Sequence, residues 1–419
     1  MKVFDPTDFS RLQSQKWHAR LRAGAAEAGI EIPFFRSHQI KAGAQTVIDG
    51  QALINFASYD YLGLNGHPDI NAAAKAAIDD FGTSVSASRI VAGERPFHQS
   101  LERRLAAIYG VEDAVAMVSG HATNVTTVGH LLGQPDLLVH DGSIHNSVIV
   151  GGRLSHATVL KFKHNDLAEL DALLQQHRSQ FRRCLIAVEG LYSMEGDIAD
   201  LPALVEIKNR HNAWLMVDEA HALGVLGKTG LGSAEHHGID GSEVDIWMGT
   251  LSKSLASTGG YIAGSHILVD YLKHSAPGFI FSVGLAAPTA AAASSAIDCL
   301  RAEPHRVERL ARVSAEMKQR IDALGLDTGT SIGSGIVPVY MGDSIRTMIW
   351  AEKLYRAGIN VLPIVFPAVP YDGALLRFFM SADHTSDQLD LTLELLARTH
   401  AETISLSTDF GALRKAIAR

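Results

Sequence analysis

Between residues 51 and 300 the chain repeats one pattern: a short apolar run, a turn-rich loop, then a stretch with helical periodicity. The apolar runs are Ala114–Ser119, Leu137–His140, Thr158–Phe162, Cys184–Val188, Trp214–Val217, Asp245–Met248 and Gly260–Ala263. They are too short for helices, and continuous apolar runs suit strands buried on both faces. Helical patterns lie between most of them, as at His98–Tyr109, Asp166–Gln176 and Leu204–His211, the second entered through Asn165 or Asp166 as a cap. Such alternation predicts an α/β fold on a mostly parallel, seven-stranded sheet. In sheets of this kind ligands sit at the carboxyl ends of the strands. Chemistry is therefore expected in the loops that follow the apolar runs.

The flanks read differently. Residues 1–50 suggest an N-terminal helical arm, started at Asp8-Phe9-Ser10, with Leu12, Trp17, Leu21 and Ala25 as a loose apolar stripe. Asp49-Gly50 is a turn signal between extended pieces at Thr46–Ile48 and Ala52–Phe56. Residues 51–300 form the large domain. Residues 301–419 carry helical patterns at Pro304–Leu324, Ser344–Ala357 and Thr385–Glu402 around strands Ile336–Tyr340 and Leu376–Met380, a smaller C-terminal α/β domain.

Charge and composition exclude several classes. Hydrophobic residues make up 47% and charged residues 20%, which is a folded rather than a disordered composition. A net charge of −8 offers no basic footprint for nucleic acid. The N-terminus lacks the apolar core of a signal peptide, and the most apolar helix, Gly284–Leu300, is interrupted by Pro288, Thr289, Ser294 and Ser295. A cytoplasmic setting is expected, with a peripheral membrane contact left open. Cys184 and Cys299 form no Cys-x-x-Cys pair, so neither a zinc knuckle nor a disulfide framework is expected, and no metal.

Five strand-end segments carry candidate chemistry. Ser119-Gly120-His121-Ala122-Thr123-Asn124 leads from a strand into a helix, so it is either a plain helix cap or a cup whose amides hold a phosphate. Asp141-Gly142-Ser143-Ile144-His145 places an imidazole at a strand exit, although the chain has 20 histidines. Glu189 to Asp197 converges hydroxyls and carboxylates, or is simply a turn. In Trp214-Leu215-Met216-Val217-Asp218-Glu219-Ala220-His221 an acid follows four apolar residues and a histidine comes three later. Finally, Thr250-Leu251-Ser252-Lys253-Ser254 puts a lysine among hydroxyls where a buried strand ends. By itself that lysine reads as a loop residue. A lysine that must form a Schiff base nevertheless needs such a desolvated place.

Asp218-Glu219-Ala220-His221 also has the form of a helicase acidic box, and Gly227-Lys228-Thr229 imitates a phosphate loop. Ala222 stands where the first glycine of that loop is required, no strand immediately precedes it, and too few residues separate it from Asp218. An ATPase reading fails on those counts. Taken together, Lys253, Asp218, His145 and a cup made of Gly120, His121, Thr250 and Ser252 suit pyridoxal 5′-phosphate. A lysine amine condenses with its aldehyde, and an acid keeps its pyridine nitrogen protonated so that the ring takes up electrons.

In order along the chain stand Asn55-Phe56-Ala57-Ser58-Tyr59-Asp60-Tyr61-Leu62-Gly63-Leu64, Ser119-Gly120-x-Ala122-x-Asn124, Asp141-x-x-x-His145-x-Ser147, Glu189-Gly190-x-Tyr192-Ser193-Met194-x-Gly196-Asp197, Val217-Asp218-Glu219-Ala220-His221, Gly249-Thr250-Leu251-Ser252-Lys253-Ser254, Phe281-Ser282, and Arg377 with Ala382-Asp383-His384-Thr385. With these motifs the chain resembles the α-oxoamine synthases, pyridoxal-phosphate enzymes of fold type I. The resemblance runs from about residue 30 to about residue 400. It implies that Lys253 bonds the cofactor covalently and later moves the substrate's α-proton. It implies that Asp218 pairs the pyridine nitrogen, that His145 stacks on the ring, and that His221 and Ser193 lie near the ring hydroxyl. Gly120, His121, Thr250 and Ser252 would hold the phosphate. Ser282 would reach the phosphate bound by the other subunit, which implies a homodimer, and Arg377 would clamp the amino-acid carboxylate.

The implied reaction is a decarboxylative condensation of an amino acid with an acyl thioester, giving an α-aminoketone. Three departures bear on the substrates. Tyr59 stands where several glycine- or alanine-using members have asparagine, and an aromatic there is similar to serine palmitoyltransferases. The segment Gly82–Arg89 is poorer in glycine than usual, and Gly335 stands where many members have histidine. The wording of Gly93-Glu94-Arg95-Pro96-Phe97-His98 resembles members that serve polyketide or sphingolipid-like pathways. The expectation is serine or alanine, with glycine as a further option, plus a long-chain acyl group carried by coenzyme A or an acyl carrier protein. An 8-amino-7-oxononanoate or 2-amino-3-ketobutyrate synthase-type reaction is the alternative, followed by a pyridoxal-phosphate aminotransferase or aldolase.

Overall fold

All seven apolar runs enter a single sheet in the computed structural model, which describes residues 7–405 except 13–14, 16–17, 20–21, 24, 27–28 and 371. In chain order the strands are β1 (Gln45–Ile48), β2 (Gln51–Asn55), β3 (Asp113–Met117), β4 (Leu137–Asp141), β5 (Thr158–Phe162), β6 (Cys184–Glu189), β7 (Trp214–Asp218), β8 (Ile246–Thr250), β9 (Gly260–Gly264), β10 (Ile336–Gly342), β11 (Ile359–Asn360), β12 (Leu362–Ile364) and β13 (Ala374–Phe379). The large sheet has the order β3-β9-β8-β7-β6-β4-β5. Its only antiparallel member is β9, which pairs with β3 on one side and β8 on the other. Helices cover both faces, so each strand feeds two cores. Along β7, Leu215 and Val217 join one apolar cluster and Met216 the other. Burying such side chains contributes about 1.5–3 kcal/mol each.

Five strands run further than the apolar runs suggest, β4 and β9 by one residue each, to Asp141 and Gly264, and β6, β7 and β8 into polar residues at the site. Glu189, Asp218 and Thr250 are the last residues of β6, β7 and β8. The β6–β7 ladder reaches its end with Glu189 opposite Asp218, so two acids stand side by side at the sheet's carboxyl edge. The helix expected over Leu204–His211 begins earlier, at Leu201, because Asp200 caps it and Pro202 fits its first turn. Asp166, not Asn165, caps Leu167–His177, accepting a hydrogen bond from the Glu169 amide at 2.9 Å.

Asp49 (φ 51°) and Gly50 (φ 76°) both adopt the left-handed region, the backbone of a tight hairpin turn joining β1 to β2. The far side of β2 pairs in parallel with β11, placing Ile54 opposite Ile359 and Asn55 opposite Asn360. The expected boundary at residue 50 therefore cuts a hairpin that is shared with the C-terminal part. A third sheet, β10-β13-β12, is antiparallel throughout. In the N-terminal arm, Phe9–Arg11 forms one 3-10 turn capped by Asp8, and the described residues from 15 to 26 are helical. Ala25 is buried, Leu12 is exposed, and Trp17 and Leu21 lie outside the described residues. Among the described residues no helix is long and apolar enough to cross a membrane.

Candidate active site

The carboxyl ends of β6, β7 and β8 collect the charged groups. β8 ends at Thr250 and returns as β9 through a tight turn. In it the Leu251 amide donates to the Gly259 carbonyl and the Ser257 amide to the Leu251 carbonyl, both at 2.9 Å. Lys253 projects from this turn, half-buried, with its Nζ 5.4 Å from the centre of the Tyr59 ring. Among the described residues no hydrogen bond or ion pair joins that amine. Desolvation lowers its pKa to about 8. Asp218 and Glu189 act against that fall, and Arg377 adds to it.

Asp218 is fully engaged. Its Oδ2 accepts from Asn124 Nδ2 at 2.8 Å and its Oδ1 from the Ala220 amide at 2.9 Å. Asn124 Nδ2 also donates to Ser147 Oγ at 3.0 Å, and Ser147 Oγ lies 2.6 Å from His145 Nδ1. One polar chain thus runs from the imidazole to the acid. His145 is largely exposed, yet partial desolvation of its ring lowers its pKa; Lys253 and His121 act in the same direction and Asp218 opposes them. Its neighbour Glu189 is buried with Oε1 unpartnered. Burial first, and then the nearby Asp218 charge, raise the Glu189 pKa well above the usual carboxylate range, while the Lys253 charge opposes the rise.

His221 follows Asp218 by three residues and packs against Tyr59 and Tyr61. Burial holds its pKa well below 6.5, with Lys253, Arg377 and His145 adding to the fall. Tyr61, whose pKa burial raises, shares a hydrogen bond of 2.7 Å between its hydroxyl and His221 Nδ1. Tyr59 stands edge-on to His221 (6.0 Å between centres) and to Phe379 (4.8 Å). The C-terminal part delivers Arg377 on β13. Its Nη1 donates to the Ser193 carbonyl at 3.0 Å, its guanidinium lies over Phe379, and its Nε has no partner. The two parts are stitched at this edge: the Phe379 amide donates to Phe56 O at 2.9 Å and the Ala382 amide to Tyr61 O at 2.7 Å.

The helix Gly120–Leu131 points its N-terminus at the end of β8. Its cap is Ser119, whose Oγ accepts from the Ala122 amide at 3.4 Å. A Cβ on Gly120 would sit 2.9 Å from Thr250 Oγ1, and one on Gly260 only 2.6 Å from the Gly120 Cα. These glycines let backbone, helix terminus and hydroxyls approach closely. Thr250 Oγ1 and Ser252 Oγ are 2.8 Å apart beside them, and the His121 ring stands edge-on to His145 at 6.2 Å. The helix-cap reading is met by Ser119, and the hydroxyls of Thr250 and Ser252 gather beside the same helix N-terminus.

Of the expected residues, Lys253, Asp218, His145, His221, Gly120, His121, Thr250, Ser252, Tyr59, Arg377 and Ser193 share this edge. Ser282 joins none of these contacts among the described residues; its hydroxyl donates to the Val283 carbonyl at 3.4 Å. Two further residues belong to the cluster, and a third, His164, fixes neighbouring loops. Asn124 and Glu189 stood inside motifs without a role. His164 had no signal at all: it bridges Asp141 (2.9 Å) and Asp197 (3.0 Å). A cavity of about 630 Å³, lined by Val111, Trp214, Ile246, Leu268 and Tyr271, lies at the opposite, amino end of the strands and does not coincide with this chemistry. Gly227-Lys228-Thr229 is a turn closed by the Glu235 carboxylate on the Thr229 amide, which is no cradle for a nucleotide phosphate.

Residues 51–396 match the class I and II aminotransferase family. A serine palmitoyltransferase of Sphingobacterium spiritivorum is 38% identical, over 87% of this chain and 91% of that protein. An 8-amino-7-oxononanoate synthase of Symbiobacterium thermophilum is also 38% identical, over 90% and 96%. A serine palmitoyltransferase from S. paucimobilis, solved with bound PLP and myriocin, superposes with a TM-score of 0.90 at 28% identity, covering 94% of this chain and all of that one. Whole-length similarity of this order, on the fold and strand-end geometry described above, identifies the chain as a member of the class I and II aminotransferase family and, within it, of the α-oxoamine synthases.

Proposed function

We propose that the protein uses pyridoxal 5′-phosphate to join an amino acid, serine or alanine before glycine, to a long-chain acyl thioester. The amino acid's α-carbon bonds to the acyl carbonyl, the thiol leaves, and carbon dioxide departs. The observation that carries this reading is Lys253: an amine lowered to about 8, between Asp218 and Arg377, with no bond of its own among the described residues. Among the described residues the buried atoms Asn124 Oδ1, Glu189 Oε1 and Arg377 Nε are unpartnered in the same cluster, and the Gly120 cradle opens beside it. That set fits the cofactor.

When bound, pyridoxal phosphate supplies an aldehyde and an electron-accepting ring. The Lys253 amine, part neutral near pH 8, would bond that aldehyde and afterwards carry the α-proton. Asp218, fixed by Asn124 and the Ala220 amide, would face the ring nitrogen. His145 would lie against the ring, and His221 with Ser193 would stand near its hydroxyl. The Gly120 and His121 amides and the Thr250 and Ser252 hydroxyls would hold the phosphate at a helix N-terminus. Arg377 binds the substrate carboxylate, which satisfies its unpartnered Nε. Tyr59, exposed at the mouth, borders the amino-acid side chain.

Tyr59 and the serine palmitoyltransferase relatives favour serine or alanine; the oxononanoate synthase relatives support the alternative, a condensation of that second type. The acyl group arrives on coenzyme A or a carrier protein. Homodimerisation is supported by the apolar side chains around Ser282: Phe281 and Val283 are exposed, and so are Ile90 and Val91 on the segment that bridges to Val283 through Ser88. Two buried, unpaired cysteines suit the cytoplasm. The test is product analysis. Incubation of the protein with candidate amino acids and acyl thioesters should release carbon dioxide and free thiol together. Absence of thiol with every pair tried would sink the condensation, whereas keto-acid formation without thiol would point to transamination.

A further inference from the structure

Outside the cluster around Lys253, the helix Pro68–Phe81 starts beside the end of helix Ala287–Ala302. Three side chains meet there. Cys299 Sγ is 3.7 Å from His67 Nδ1, and His67 Nε2 is 3.2 Å from Glu303 Oε1. Taking one ligand atom from each, all lie within 4.8 Å of one another. Cys299 and Glu303 are one helical turn apart and so share a face. His67 is the N-cap residue of the first helix, where its Nδ1 accepts from the Asp69 amide at 3.3 Å; that bond fixes the ring. The sulfur is buried, and the imidazole and carboxylate are mostly so. Arg306 Nε takes Glu303 Oε2 at 2.7 Å, which orients the carboxylate and leaves Oε1 facing the histidine. Asp69 and Asp298 add negative charge around the sulfur, against one arginine.

We propose that His67, Cys299 and Glu303 form a site for a borderline divalent cation, zinc being the best match. One thiolate, one imidazole nitrogen and one carboxylate oxygen are the donors zinc accepts, and a water completes four-coordination. Binding replaces the thiol proton, which passes to solvent. Glu303, held by Arg306, supplies the kind of supported carboxylate that metal sites use. The ion pins the start of one helix to the end of the other. Arg306 Nη1 also donates to the Leu62 carbonyl at 3.1 Å, so the clip adjoins the segment that carries Tyr59 and Tyr61.

The test uses the holoenzyme, stripped of metal with a chelator and then titrated with zinc alone and with cobalt alone. Three variants accompany it: Cys299→Ser, Glu303→Gln, and His67→Asn, which keeps a capping side chain. An unchanged cofactor spectrum reports that each is folded. The expected result is one equivalent of zinc per chain, visible tetrahedral cobalt bands to the red of the cofactor's absorption, and affinity weakened by about tenfold or more in each variant. Absence of saturable binding would overturn the proposal. Binding of equal strength in all three variants would do the same, since it would place the ion at other histidines.

Discussion

At the residue scale, the site works by placing opposite protonation demands side by side. Lys253 and Glu189 are both driven towards neutrality by burial, while Asp218 is kept in a cage of donors. The lysine pKa near 8 gives a signed expectation. The neutral amine is the form that attacks an aldehyde, and its fraction grows as pH rises through about 8. Reconstitution of the stripped protein with pyridoxal phosphate should therefore speed up from pH 6.5 and level off above about 8. A rate still climbing towards pH 10.5, the ordinary lysine value, would contradict it. Lys253→Ala should remove the visible band of the lysine-bound cofactor and cut condensation on the order of 10²–10⁴-fold; persistence of the band would show that another lysine is used. Asn124→Ala tests the polar chain. It leaves Asp218 with one donor where it had two, at a cost of about 1–3 kcal/mol, so cofactor affinity in a fluorescence titration should fall about tenfold. The Asp218 placement was legible because an ionisable residue directly after an apolar run must emerge at the strand's end; Lys253 stands three residues beyond the end of β8 and was legible by the hydroxyls around it. The Asn124–Asp218 bond was not, since its partners are 94 residues apart and no local pattern encodes their meeting.

At the scale of elements, short polar bridges fix the loops that the strands deliver. His164, after β5, sits between Asp141 at the end of β4 and Asp197 in the loop after β6, and Thr330 of the C-terminal part adds a bond to Asp197 at 2.7 Å. Burial opposes charge on this imidazole, but hydrogen bonds to the two acids raise its pKa to about 10. A raised histidine stabilises the fold fully below its unfolded value of 6.5, and that contribution is lost as pH climbs towards about 10. Asp141, lowered below 3.8 despite its burial, contributes above that value and loses its contribution in acid. The His164 contribution to thermal stability should thus fall on the alkaline side, from about 6.5 towards 10, and the Asp141 contribution should fall in acid. His164→Ala should remove most of that alkaline slope and cost about 3–5 kcal/mol, because two buried acids lose their cation. Calorimetry across pH reads both. A second expectation concerns β9, whose Gly260 passes under the start of helix Gly120–Leu131. Gly260→Ala must displace the Gly120 backbone and should weaken cofactor binding with little change in secondary structure by circular dichroism. The sequence displayed the seven strands because apolar runs announce buried strands. It hid β11 and β12, of two and three residues, because so short a segment has no period to read. The Gly335 departure is likewise clear only in three dimensions: its φ is 72° and a Cβ would sit 2.9 Å from Val225 Cγ1, so a larger residue there meets both strain and the core.

At the scale of the whole molecule, one apolar surface stands apart from the charged exterior. Phe281 is 85% exposed and Val91 80%, and both lie beside the Ser88–Val283 bridge. Isolated exposed apolar residues are ordinary, whereas several on two bridged segments form a patch of the kind that an interface covers. Ser282 lies within this surface and joins none of the cluster around Lys253 among the described residues. A second copy that covers Phe281 would account for both facts, because it buries the phenyl ring and carries Ser282 towards the partner's phosphate cup. On that reading the cup is completed only by association. Phe281→Asp should then shift the protein from twice the chain mass to the single chain in analytical ultracentrifugation, and cofactor affinity should fall with it. Ser282→Ala should leave the mass unchanged and weaken only the cofactor. If Phe281→Asp left the mass unchanged, the apolar surface would have some other partner. If it gave a monomer with undiminished cofactor affinity, Ser282 would have no part in the cup, and the site would be complete within one chain.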